Sequence, residues 1–194
     1  MKIIGTIIIS LLMFFHQKNQ FKIEELFDKQ NIIQNQETIL GENKTVIPEK
    51  TWDYKDLSDI DEEIQKICFL IAKDYQISPE LLIAIIERES AGKINATNKN
   101  SGCIGLMQLN PKYINHYLER IEKTDAYDME TNIRIGCEIL KDFQKIYSEL
   151  PLVLMKYHGE KTAIEKFKSG DYSEYCIGII KRMKEMQLIT GGQN

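Results

Sequence analysis

The chain is short of the residues that several common chemistries require. Its 194 residues include only three histidines, four cysteines and one tryptophan. His16, His116 and His158 lie far apart, and none of Cys68, Cys103, Cys137 and Cys176 forms a C-x-x-C pair, so no zinc or other metal site is expected. The cysteines are almost evenly spaced, but their flanking residues share nothing, which argues against a repeat. They read as small buried hydrophobes or, if the domain is exported, as material for one or two disulfides. No block of lysine and arginine interleaved with aromatics occurs and the net charge is −4, so nucleic acid is not an expected partner. Strand signals are few.

What is present begins with one long apolar run, residues 3–15, preceded by Lys2. As a helix it would be about 20 Å long, against a hydrocarbon core of about 30 Å. That length suits the apolar region of a secretory signal. No small-x-small cleavage site follows, only His16-Gln17-Lys18-Asn19, so the run also reads as an uncleaved anchor with Lys2 and Lys18 reaching the headgroups. Residues 1–17 are therefore expected to be a signal peptide or membrane anchor, and the protein is expected on the outer side of a membrane. Residues 18–57 read as a stalk. Ile23, Leu26 and Phe27 hint at one short amphipathic helix, and Trp52 and Tyr54 stand ready to strap onto the domain that follows or to stack on carbohydrate.

Residues 58–190 have the composition of a globular domain, the whole chain being 43% hydrophobic and 28% charged, enough to bury a core. Helix signals follow one another. Ser58 and Asp61 resemble a capping box ahead of an apolar face of Ile60, Ile64, Ile67, Cys68 and Ile71. Ser78 is placed as an N-cap, Pro79 at the first helical position, and Ile77 with Leu82 as a hydrophobic staple. Residues 81–86 are apolar all round, which marks a helix at the centre of a bundle. Residues 91–105, rich in Gly, Asn and Ser, predict turns or a small irregular hairpin. Further helices are expected from Pro111 to Ile121, over 131–147, from Pro151 to Tyr157, and over 162–168 and 173–187. The fold class is mainly α.

Glu89 is the residue this pattern singles out. It shares a helical face with Leu82, Ile85 and Ile86 and so ends a buried apolar stripe. Desolvation and the negative end of the helix dipole both disfavour its charged form, which raises the pKa toward that of a general acid. A glutamate at a helix end is more often solvated or bonded to a backbone amide, so position alone leaves both readings open.

Three motifs then occur in order: Glu89-Ser90; Gly102-Cys103-Ile104-Gly105-Leu106-Met107-Gln108-Leu109; and Asp128-Met129-Glu130-Thr131-Asn132-Ile133-Arg134-Ile135-Gly136. On these, residues 77–187 resemble the catalytic domain of the soluble lytic transglycosylases, members of the lysozyme-like superfamily. Cys103 stands where alanine is usual and Met129 where proline is usual. The fourth motif departs further: the family's A-Y-N-x-G is here Lys156-Tyr157-His158-Gly159-Glu160, with His158 in place of asparagine and the glycine one residue early.

The resemblance implies a lysozyme-like helical domain with a small hairpin, acting on peptidoglycan glycan strands without a cofactor. It implies Glu89 as the acid and base that cleaves the β-1,4 bond between N-acetylmuramic acid and N-acetylglucosamine, leaving a 1,6-anhydro product. It implies that Ser90, Gly105, Leu106, Met107, Gln108, Tyr157 and His158 bind substrate. Core packing is the competing reading for Leu106 and Met107. Asp128 is read as a helix cap ahead of a second acid, and Asn132 as a brace between hairpin and helix. Two alternatives stay open: a muramidase on the same fold, and a non-catalytic wall-binding component of an envelope-spanning assembly. A tethered enzyme of this size suits local wall opening, for example beside a secretion or conjugation apparatus.

Overall fold

A computed structural model of the chain describes residues 53–192. The expected signal or anchor, residues 1–17, and all but the last few residues of the stalk, Trp52 included, lie outside the described residues. Among the described residues eight helices follow in order: α1 (Tyr54–Leu57), α2 (Glu62–Tyr75), α3 (Pro79–Ser90), α4 (Pro111–Arg120), α5 (Met129–Ile146), α6 (Leu150–Tyr157), α7 (Ala163–Ser169) and α8 (Glu174–Thr190). Between α3 and α4 the chain forms isolated antiparallel bridges, Thr97 with Ile104 and Ile104 with Leu109. The expected hairpin is thus reduced to single bridges, and no longer strand occurs among the described residues.

The axis is α3. Leu82, Ile83, Ile85 and Ile86 are fully buried because the helix packs against both α8 and α2. Its start is chemically explicit. Ser78 Oγ accepts from Leu81 N at 3.4 Å, and Pro79 occupies the first turn. Glu80 is also buried there, with its two carboxylate oxygens taking hydrogen bonds from Ser78 Oγ (2.5 Å) and Thr190 Oγ1 (2.6 Å). The Thr190 bond ties the beginning of α3 to the last turn of α8, and a buried carboxyl is tolerable only with such donors.

The sequence placed the cap of the first long helix one element too early. Asp61, not Ser58, caps α2, accepting from Glu63 N at 2.7 Å. Ser58 instead ends α1 and donates to Glu87 Oε1 at 2.5 Å. Packed structure also reaches back into the segment expected as stalk: Leu57 is buried in the core, and the Tyr54 ring meets Phe69 edge-on at 5.8 Å. The tyrosine therefore straps α1 onto α2.

Arg182 on α8 closes this end of the molecule. Its guanidinium donates to Glu87 from Nε at 2.8 Å and from Nη2 at 2.9 Å, and Nη2 also donates to the Leu57 carbonyl. One side chain so joins α8, α3 and α1 in a fork that a lysine cannot reproduce. Arg182→Ala is expected to lower stability by about 1–2 kcal/mol, the range for a half-exposed charged hydrogen-bond group. Arg182→Lys is expected to recover less than half of that loss in a urea melt, and full recovery would show that charge, not the fork, matters.

Candidate active site

Glu89 projects from the last turn of α3, one residue before its end, where the buried stripe opens to solvent. Burial is the largest influence on its carboxyl and pushes the pKa up; a hydrogen bond from Tyr175 and the nearby charges of His158 and Arg88 pull the other way, and burial prevails. The Tyr175 hydroxyl donates to Glu89 Oε1 at 2.5 Å. Glu87, two residues earlier, faces away and is used by Arg182.

Tyr175 was not among the residues the sequence singled out. It lies in the first turn of α8, where Ser173 Oγ caps the helix by accepting from Cys176 N at 3.3 Å. The signal available was indirect: a tyrosine on an inward helical face needs a partner for its hydroxyl. Burial, then the Glu89 charge, keep its phenol protonated, so it remains a donor.

Tyr157, at the end of α6, points its hydroxyl elsewhere, donating to the Met107 carbonyl at 2.9 Å. The phenol that meets the acid is thus Tyr175. Burial, followed by the charge of Glu89, raises Tyr157 well above its ordinary value, so it too stays protonated. His158 follows. Its imidazole lies flat on the Tyr175 ring, with centroids 4.0 Å apart and planes inclined by 9°. Its Nδ1 is 3.5 Å from Glu160 Oε1.

The glycine-rich turn forms the wall behind these groups. Leu106 and Met107 are completely buried, so their side chains fill the core, and Gly105 is buried with them. Gln108 adopts a positive φ of 48° and donates from Nε2 to the carbonyls of Gly105 (3.0 Å) and Ala96 (3.4 Å), bracing the turn from within. Ser90 Oγ donates back to Ile86 O at 3.2 Å. Of the eight residues expected at the site, Glu89 and His158 converge on Tyr175. Tyr157 joins them through the turn it holds, while Ser90, Gly105, Leu106, Met107 and Gln108 build the support behind.

Asn132 on α5 locks this support. Its Oδ1 accepts from Met107 N at 2.9 Å and its Nδ2 donates to Ala126 O at 2.8 Å. A Cβ on Gly105 would sit 2.0 Å from that Nδ2, and one on Gly136 would sit 2.1 Å from Met107 Sδ. The two glycines therefore exist to let α5 and the turn touch. Asp128 caps α5, accepting from Thr131 N at 2.9 Å and Thr131 Oγ1 at 2.6 Å; these bonds, with burial opposing them, hold its carboxyl below the ordinary value. It is a structural anion. Asp125 is exposed and bonded to Tyr127 N. Among the described residues the four cysteines are unpaired, and no cluster of three or more His, Cys, Asp or Glu is placed to hold a metal.

Asn132→Ala strands the Met107 amide and the Ala126 carbonyl and is expected to cost about 2–4 kcal/mol, read as a loss of melting temperature. Glu89 gives a pH-dependent expectation. Its pKa is higher folded than unfolded, so its contribution to stability is complete below the ordinary value of 4.5 and is lost as pH rises through the folded value. Glu89→Gln cannot ionise. Its melting temperature is expected to match the parent near pH 4 (~4, below both values) and to exceed it increasingly toward neutrality. A gap that stays constant with pH would show that Glu89 is not held against its charge.

A comparison with protein families comes to the same region. The model of the transglycosylase SLT domain family matches residues 67–175, a span that includes Glu89, the turn, Tyr157, His158 and Tyr175. A protein described as a transglycosylase, from Enterobacteria phage PRD1, is 32% identical over 85 residues, 44% of this chain and 30% of the relative. An inactive mutant of the lytic transglycosylase Slt from Pseudomonas aeruginosa matches 66% of this chain and 22% of its own, with 16% identity and a TM-score of 0.45. The chain spans less than a third of the length of either relative. With more than half of its length matched by the family model, and the matched part carrying the whole constellation around Glu89, the protein belongs to the transglycosylase SLT domain family.

Proposed function

We propose that the protein is a lytic transglycosylase that cleaves peptidoglycan glycan strands between N-acetylmuramic acid and N-acetylglucosamine, with Glu89 as the one titrating catalyst. The observation that carries this reading is a single carboxylate, raised by burial and held by a phenol, in a chain of this family. As an acid, Glu89 gives its proton to the glycosidic oxygen while the bond to the anomeric carbon breaks, and positive charge spreads onto that carbon and the ring oxygen. The groups that act on Glu89 are Tyr175, His158 and Arg88, and no second carboxylate is among them. Stabilisation of the anomeric carbon then falls to the substrate, through its own acetamido oxygen. Glu89, now ionised, takes the proton of the muramyl C6 hydroxyl, whose oxygen closes onto the anomeric carbon. The proton count returns to its start and no water is consumed.

Tyr175 suits both halves of this cycle. A phenol that stays protonated donates to the carboxylate formed in the first half and limits the cost of that charge in a partly desolvated place. The acting form at the outset is the protonated one, so the rate of the first step is retained below the pKa of Glu89 and lost as pH rises through it. On this reading the protein works on the wall-facing side of a membrane, with residues 1–17 as its signal or tether and the wall as its partner.

The experiment is digestion of purified peptidoglycan followed by mass spectrometry. Muropeptides about 18 mass units lighter than the hydrolytic products are expected, the mass of the water not added. Products of the hydrolytic mass would make the protein a muramidase. Glu89→Gln is expected to reduce turnover by at least ~100-fold, in the range of a lost general acid, with the fold unchanged by circular dichroism. Undiminished cleavage by that variant would remove Glu89 from the mechanism, and no cleavage by the parent would favour a wall-binding scaffold.

A further inference from the structure

Outside the groups already given roles, one chain of contacts runs from the surface into the site. Glu160 follows α6 and is largely buried. Its Oε2 is 3.4 Å from Lys166 Nζ on α7, and its Oε1, buried and without a normal hydrogen bond, is 3.5 Å from His158 Nδ1. Burial alone would raise this carboxyl, but Ser173, Lys166 and His158 hold it below its ordinary value, so it stays an anion. His158 is half-exposed yet stacked on Tyr175 with nearly parallel rings. Tyr175 in turn donates to Glu89.

An exposed histidine at a helix end has no packing reason to hold one orientation. Here one edge is fixed by an anion and one face by a ring. The Tyr175 phenol, in a short hydrogen bond to Glu89, has this imidazole stacked flat on its ring. We propose that His158, anchored by Glu160, is a positioning residue for the acid: its stacked ring fixes the Tyr175 phenol and so sets the geometry of the Tyr175–Glu89 hydrogen bond. The proposal rests on Glu89 being the acid of the reaction proposed above. The charged and titratable groups facing the assembly are Glu160 and Lys166 on the far side of His158, and Glu89, Arg88 and Tyr157 on the side of Tyr175.

Two effects of the imidazole can be separated by substitution. His158→Ala removes ring and charge. His158→Phe keeps a flat ring and removes the charge. Glu160→Gln keeps both and loosens the anchor. The first readout needs no turnover: the Glu89 carboxyl is titrated by carbon NMR in the full chain. Loss of positive charge raises the Glu89 pKa equally in the Ala and Phe variants. Loss of positioning raises it only where the ring is gone, because only there does the Tyr175 bond loosen. The expected order is Ala highest, with Phe and the Glu160→Gln variant between Ala and the parent. Equal shifts in Ala and Phe would overturn the proposal in favour of simple charge.

The second readout is turnover of purified peptidoglycan. His158→Ala is expected to lower kcat about tenfold with KM within about twofold, the signature of a misaligned catalyst, not of lost binding. His158→Phe is expected to restore most of kcat. A drop confined to KM, or no rescue by Phe, would make His158 a substrate contact instead. The NMR arm stands even if the parent cleaves nothing, so failure of the positioning role and failure of the proposed reaction give different results.

Discussion

The Met107 peptide is the point on which the site depends. Its N–H is taken by Asn132 Oδ1, its carbonyl by the Tyr157 hydroxyl, and its side chain by the space that Gly136 leaves open. Three elements far apart in the chain, the turn, α5 and α6, are thereby held to one residue with no exposed surface. A buried amide can be left without a partner only at a cost of about 1–3 kcal/mol, so each of these contacts excludes alternatives as well as adding stability. The glycine-rich motif and the Asp-to-Gly motif of α5 are best understood as the two halves of this one joint. Their residues hold in place the turn that lies behind Glu89.

Against that rigid wall, Glu89 is an exception to the rule that sequence and structure should agree at every level. Eight consecutive buried residues in α3, 79–86, are followed within one turn by a group whose charge burial opposes. Nothing in the fold requires a carboxylate there. Function tends to sit where local stability has been given up, and the contrast with Glu80, at the other end of the helix, makes the point. Glu80 is fully buried but has donors on both oxygens. Glu89 is less buried and has one. The first has both oxygens held by donors; the second has a single donor and a carboxyl that burial raises.

What the sequence revealed and what it concealed divide by distance along the chain. The caps at Ser78 and Asp128, the proline starts of α3 and α4, and the closing helices were legible because each depends on neighbours within four residues. The central position of α3 was legible because residues 81–86 are apolar on every face of the helix. Ser58 was misread as the α2 cap because its true partner, Glu87, is 29 residues away. Tyr175 was missed altogether, since it lies 86 residues from Glu89 and looks, on α8, like one more inward aromatic. The Arg182 fork spans 95 residues to Glu87. Local chemistry writes helix ends into sequence, but pairings between elements appear only when the elements meet.

The same division explains why Tyr175, and not the motif tyrosine Tyr157, meets Glu89. Tyr157 carries the visible motif, and a motif tyrosine invites a role at the acid. Yet its hydroxyl can reach only one acceptor, and the Met107 carbonyl is a buried group that no other donor satisfies. Using Tyr157 on Glu89 would leave that carbonyl empty and loosen the joint the site rests on. Tyr175 comes from α8, which already packs along α3, so its hydroxyl reaches Glu89 without disturbing the turn. The division of labour follows from satisfaction of buried groups: the phenol nearest the joint secures the joint, and the phenol nearest the acid tunes the acid. His158 lies between these two roles in the chain, directly after the first tyrosine and flat upon the second, so a shift in the α6 end that disturbed the Met107 joint would also be felt at the ring that holds Glu89.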